Sequence, residues 1–203
     1  MSGIIAQNSG RHTGLVKAAS GGGGVWNLIE TLTASSDATL DFTSGIDSTY
    51  DEYVFKFINI HPQTDAKSFS FQANAAGGSG FNETITSACF RAAHAENDSE
   101  APLDYLTATD QAQGTAFQNL MENDALGSDN DQCLSGWLKL FAPSDTTFVK
   151  QFLSRTNMSQ QADSNSNFYG AGYFNTTTAI DEIQFKMNSG NIDAGTISLY
   201  GIS

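Results

Sequence analysis

The sequence predicts an all-β chain, an antiparallel β-sandwich, jelly-roll-like, preceded by an extended N-terminal arm. Three observations predict it. From Val25 onward, apolar residues recur with period two in short runs. Those runs are broken by Gly, Asn, Asp and Ser clusters at the intervals of a sandwich. At 203 residues the chain is also long enough to bury a large core without metal or disulfide staples.

Residues 1–24 lack sustained periodicity and end in Ser20-Gly21-Gly22-Gly23-Gly24, a run that reads as a hinge because glycine tolerates positive φ. The segment before it holds Ile4, Ile5, Leu15 and Val16 as apolar anchors and Arg11 and Lys17 as charges, with no acid before Glu30. Two readings stand side by side: a tail with no structure of its own, and an arm that docks on an acidic neighbour.

Residues 25–203 form the expected sandwich. Strands are expected near 25–32, 38–42, 52–60, 68–74, 84–92, 132–141, 147–154, 167–173, 181–187 and 194–200. Phe69 and Phe71 alternate with Ser68, Ser70 and Gln72, and Leu138 and Leu140 with Trp137 and Lys139. Ile183 and Phe185 alternate with Gln184 and Lys186, and Ile197 pairs with Leu199 on one parity. The eight apolar residues of these runs are the expected core, because one-faced strands must close on a second sheet. Segment 52–60 is apolar on both parities, which places it centrally. The polar stretch 95–131 reads as a long functional loop or a partly helical excursion at one end of the sandwich. Gly77-Gly78-Ser79-Gly80 reads as a hairpin loop.

Chemistry is sparse. His12, His61 and His94 show no zinc spacing, and His61 before Pro62 reads as a turn residue. There is no GxSxG elbow and no glycine loop between a strand and a helix. Glu122, Asp124, Asp129 and Asp131 form the densest acidic group, but their spacing does not reproduce a calcium loop, and a solvated loop is the simpler reading. Cys89 and Cys133 read as free thiols. The chain is therefore expected to be no enzyme, with no catalytic, cofactor or metal site. Trp137 and Lys139 point away from the Leu138 face and are the candidate interface of the body; Tyr53, Phe55 and Tyr173 are expected to be exposed in part.

Nine basic residues against twenty-two acidic ones give a net charge of −13. Without Arg11 and Lys17, seven basic residues face the same twenty-two acids from Glu30 onward, a net of −15. Such a body repels a phosphate backbone, so nucleic acid is not an expected partner. No run approaches the roughly eighteen apolar residues of a membrane span and the start lacks the pattern of a signal peptide, so membrane insertion and secretion are not expected either.

The segments GIDSTYDEYVFKFINIHPQTD at 45–65, SGWLKLF at 135–141 and TTTAIDEIQFKMNSGNIDAGTISLYGIS at 176–203 resemble virion proteins of marine tailed bacteriophages, and the opening MSGIIAQNSGRHTGLVKA is similar to the start of such proteins. The likeness is one of phrase rather than of catalytic motif and covers nearly the whole chain. It implies a particle component, made in the host cytoplasm and incorporated into the virion. The expected function is a capsid decoration or cement protein, tied by its arm to the major capsid protein, another virion protein or the next copy, and assembled as a homotrimer. The alternative is a tail-fibre module that recognises a host surface glycan through 95–131 and surface aromatics.

Overall fold

The structure is a computed structural model, and it describes residues 24–203. The arm anchors Ile4, Ile5, Arg11, Leu15, Val16 and Lys17 lie outside the described residues.

Thirteen strands follow one another among the described residues: β1 (Trp26–Thr33), β2 (Leu40–Phe42), β3 (Glu52–Pro62), β4 (Phe69–Ala75), β5 (Ile85–Ala95), β6 (Leu103–Tyr105), β7 (Ala112–Gly114), β8 (Gln118–Asn119), β9 (Leu134–Phe141), β10 (Lys150–Gln160), β11 (Ser164–Phe174), β12 (Ile180–Met187) and β13 (Ile192–Ile202). All pairings are antiparallel. A nine-stranded sheet runs β1-β13-β3-β9-β10-β11-β5-β6, with β7 also on β5, and a four-stranded sheet runs β2-β12-β4-β8. The chain passes back and forth between the two sheets, which makes the antiparallel β-sandwich that the alternating runs predict.

The pleat decides what is buried. Along β10, Phe152, Ser154, Thr156 and Met158 face inward while Gln151, Leu153, Arg155 and Asn157 face out. The core joins Phe55, Phe57, Leu138, Leu140, Phe152, Ile197 and Leu199 of the large sheet to Phe69, Phe71, Ile183 and Phe185 of the small one. The eight residues expected there all belong to it. Phe185 is the hub, with its ring centroid 5.3 Å from Phe55, 5.4 Å from Phe57 and 5.8 Å from Phe69.

Four expectations change. Tyr53 and Phe55 are fully buried rather than partly exposed. Because β3 is apolar on both parities, the sequence did not say which face meets the core. The Tyr53 hydroxyl is satisfied inside, donating to the Asp47 carbonyl at 3.0 Å. Gly77–Gly80 is no hairpin: it joins β4 of the small sheet to β5 of the large one. Asn74 accepts from Phe81 N–H at 2.7 Å and Glu83 accepts from Ala75 N–H at 2.9 Å, which shapes that crossing. His61 lies within β3, not in a turn. Finally, 95–131 is neither helical nor an end loop. It supplies β6 and β7 to the large sheet and β8 to the small one, and sends Leu120, Met121 and Leu126 into the core. Arg91 pairs with Glu122 beneath this strap, and Gln72 donates to the carbonyls of Thr115 and Ala116 at 3.2 and 3.0 Å.

Candidate binding face

One face of the large sheet makes the core, so the other is left to solvent, and register decides what stands there together. Residues directly opposite on neighbouring strands share a face. Following those pairs, one row reads Lys56, Trp137, Arg155, Tyr169, Phe90 and Tyr105, across β3, β9, β10, β11, β5 and β6. The row beside it reads Tyr200, Val54, Lys139, Leu153, Ala171 and Ala88. Trp137 and Lys139, the expected interface pair, are therefore on the outward face and in adjoining rows.

The first row is a ladder of stacked groups. Phe90 and Tyr169 lie face to face, with centroids 4.8 Å apart and planes 3° from parallel. Arg155 covers the Tyr169 ring at 5.0 Å while its Nε donates to Asn167 at 3.1 Å. Lys139 sits 5.6 Å from the Trp137 ring centre and donates to Glu52 at 2.6 Å. Such contacts add a fraction of a kcal/mol to about 1 kcal/mol each at exposed sites and fix the side chains in place. The rings do not vanish from the surface: Phe90 remains 44 % and Tyr105 56 % exposed.

The second row makes a trough. Ala88 and Ala171 are small, so the surface sinks beside the ladder into a depression of about 400 Å³, bounded by Trp137, Leu153, Arg155, Tyr169 and Phe90. A second depression of about 400 Å³ continues toward Gln151, Tyr173 and Thr86. At the other end, Asn157, Ser159, Asn165 and His94 line a third of about 320 Å³. The first two share Leu153, Ala171 and Ala88 and form one trough along β10, β11 and β5, and the third lies beyond the Arg155–Tyr169–Phe90 ladder.

Its charge is opposite to that of the body. β5, β9, β10 and β11 contain no Asp or Glu, and of their four cations Lys139 and Arg155 face outward, whereas Lys150 is buried and Arg91 turns inward to Glu122. This is not simply a strand's aversion to acids, since Glu30 sits in β1, Glu52 in β3, Asp181 and Glu182 in β12 and Asp193 in β13.

No family model, curated protein or solved structure matches the chain.

The remaining polar groups are engaged elsewhere. A cleft of about 550 Å³ by the β10–β11 turn is lined by Arg91, His94, Glu96, Glu100 and Asp163. Its Arg91 is held by Glu122 and Asp104 and its His94 by Asp98 at 3.3 Å. The acidic group at 122–131 does not converge: Glu122 turns to Arg91 and Gln160, while Asp124 accepts from Asn188 at 2.6 Å. Among the described residues no three His, Cys, Asp or Glu side chains gather as metal ligands would. Both cysteines are free, and burial pushes the Cys89 thiol up to about 11. Sequence reasoning found Trp137 and Lys139 but not Phe90, Leu153, Arg155 or Tyr169. Their alternation was visible, whereas the register that sets them beside Trp137 is a long-range fact.

Proposed function

We propose that this chain is a non-enzymatic structural protein of a virus particle, a decoration or cement protein on the outer shell. The observation that carries the reading is the exposed apolar edge of the large sheet. On β1, an edge strand, Trp26 and Leu28 are 50 % and 60 % exposed, and Val25 just before it is 56 % exposed. Trp26 meets Tyr200 edge to face at 5.3 Å, so the patch extends onto β13. An apolar sheet edge left open is a standing invitation to association unless a partner covers it.

This edge adjoins residues 1–23, which hold the anchors Ile4, Ile5, Leu15 and Val16 and the charges Arg11 and Lys17. Arm and edge together make the attachment in this proposal, to the coat protein or to the next copy, and a closed homotrimer would cover the edge without leaving it free to propagate. Quantitative mass spectrometry of purified particles tests the assignment. A copy number on the scale of the shell subunits is expected; absence from the particle overturns it.

A second reading is favoured by the trough on the same face. There the chain is a receptor-binding module of a tail fibre, and a copy number matching the fibres would replace the first reading with it.

A further inference from the structure

We propose that the trough over β10, β11 and β5 is a binding site for a linear, carboxylate-bearing polysaccharide. The inference is independent of attachment through β1, because it concerns the opposite part of the sheet and uses different residues.

Shape comes first. The two depressions that share Leu153, Ala171 and Ala88 run along the strands from Gln151 to Arg155 of β10, roughly 14 Å at about 3.4 Å per residue. A shallow depression elongated along the strands suits a short run of an extended chain. The lining then selects the chain. Leu153, Ala171 and Ala88 give an apolar floor for the C–H faces of sugar rings, bounded by the Trp137 and Tyr169 rings. Gln151 and Thr86 at its end supply an amide and a hydroxyl for sugar hydroxyls. A few placed polar groups around an apolar floor are the usual make-up of a small-molecule or saccharide subsite.

Charge fixes the class of sugar. Lys56 and Arg155 flank Trp137 in one row, and Lys139 stands two residues along β9. No acid lies on β5, β9, β10 or β11; among the described residues Glu52 pairs with Lys139, and Glu96 lines the depression beyond the ladder, away from this group. Elsewhere the body would repel a polyanion, so its approach is steered to this face. A single-stranded nucleic acid, the other polyanion of extended form, fits less well. It needs aromatic faces on which bases stack, and the faces of Tyr169 are already taken by Phe90 and Arg155.

The test uses the full-length chain in affinity electrophoresis and calorimetry with three probes: polygalacturonate, with a carboxylate on every unit; dextran, which is neutral; and single-stranded DNA. Polygalacturonate is expected to bind, more weakly as salt rises, with dextran and DNA at least tenfold weaker. Arg155→Ala and Ala171→Trp, the latter filling the trough, are each expected to weaken polygalacturonate binding roughly tenfold, about 1.4 kcal/mol. Phe148→Ala, at an exposed site outside the trough, is expected to leave binding unchanged. Melting temperatures identify any variant that fails to fold, and Arg155→Lys, which keeps the charge, is expected to retain most of the affinity. No binding of polygalacturonate, equal or tighter binding of dextran or DNA, or binding untouched by both trough variants overturns the proposal.

Discussion

Phe185→Ala tests the two-sheet core where it is most concentrated. The side chain is fully buried, and its ring meets Phe42, Phe69 and Phe71 of the small sheet and Phe55 and Phe57 of the large one, at centroid distances of 5.3 to 6.3 Å. Loss of transfer free energy alone is worth roughly 2–3 kcal/mol. The cavity adds to that, because the lining rings belong to two paired sheets that cannot both close on the space. The expected cost is therefore in the upper part of the measured range for such changes, about 4–5 kcal/mol, a large share of the roughly 5–15 kcal/mol that holds most domains together. Phe185→Leu, which keeps much of the volume, should cost about 1–2 kcal/mol. Urea unfolding followed by far-ultraviolet circular dichroism measures both. A cost for the alanine variant below about 1.5 kcal/mol, less than the transfer contribution, would refute the claim that this ring joins the sheets.

The division of labour between the faces of β9 follows the same logic. Leu140→Ala should cost about 2–5 kcal/mol in urea, whereas Trp137→Ala, on the outward face, should cost under about 1 kcal/mol and impair binding or assembly instead. The pH dependence of stability should carry the mark of Cys89. With its thiol at about 11 in the fold against 9.0 unexposed to burial, the native state binds the extra proton above pH 9, so this contribution is complete below pH 9 and is lost as pH rises through 11, about 2–3 kcal/mol in all. Lys150, lowered by burial, acts in the opposite sense, so the wild type is compared with Cys89→Ala, whose stability should fall less between pH 8 and pH 11. In thiol titration, half-exposed Cys133 should react at once and Cys89 only on unfolding. Glu122→Gln should loosen the strap: a broken buried pair costs about 3–5 kcal/mol, and because Asp104 remains 3.5 Å from Arg91 the loss should be about 2–3 kcal/mol, with faster amide exchange at 119–126.

Much of the fold was legible because its core strands are plain alternations. Phe69 with Phe71, Leu138 with Leu140 and Ile183 with Phe185 each fill one parity, and a one-faced strand has few places to go. Legibility failed where inward positions are polar. Beyond Ser154 the inward residues of β10 include Thr156 and Gln160, which look like loop residues in sequence. They are tolerated inside because Thr156 Oγ1 donates to the Leu120 carbonyl and Gln160 to Glu122, so the strand runs on to its turn with β11. The strap was opaque for the same reason, its few apolar residues being separated by polar ones whose partners lie far along the chain. Of the binding face, the outward direction of Trp137 and Lys139 could be read from Leu138 between them. The ladder could not, since only register brings Phe90, Arg155 and Tyr169 to Trp137.

The central proposal is attachment of this chain to a virus particle through residues 1–20 and the adjoining edge of β1. The most direct measurement adds the full-length chain and a chain beginning at residue 21 to particles lacking the protein and compares their occupancy. The strands begin after the glycines, so the shortened chain should keep its melting transition, while its occupancy should fall well below that of the full-length chain, because the contacts of Ile4, Ile5, Leu15 and Val16 are gone. Undiminished occupancy of the shortened chain would contradict the proposal and assign attachment to the sandwich alone.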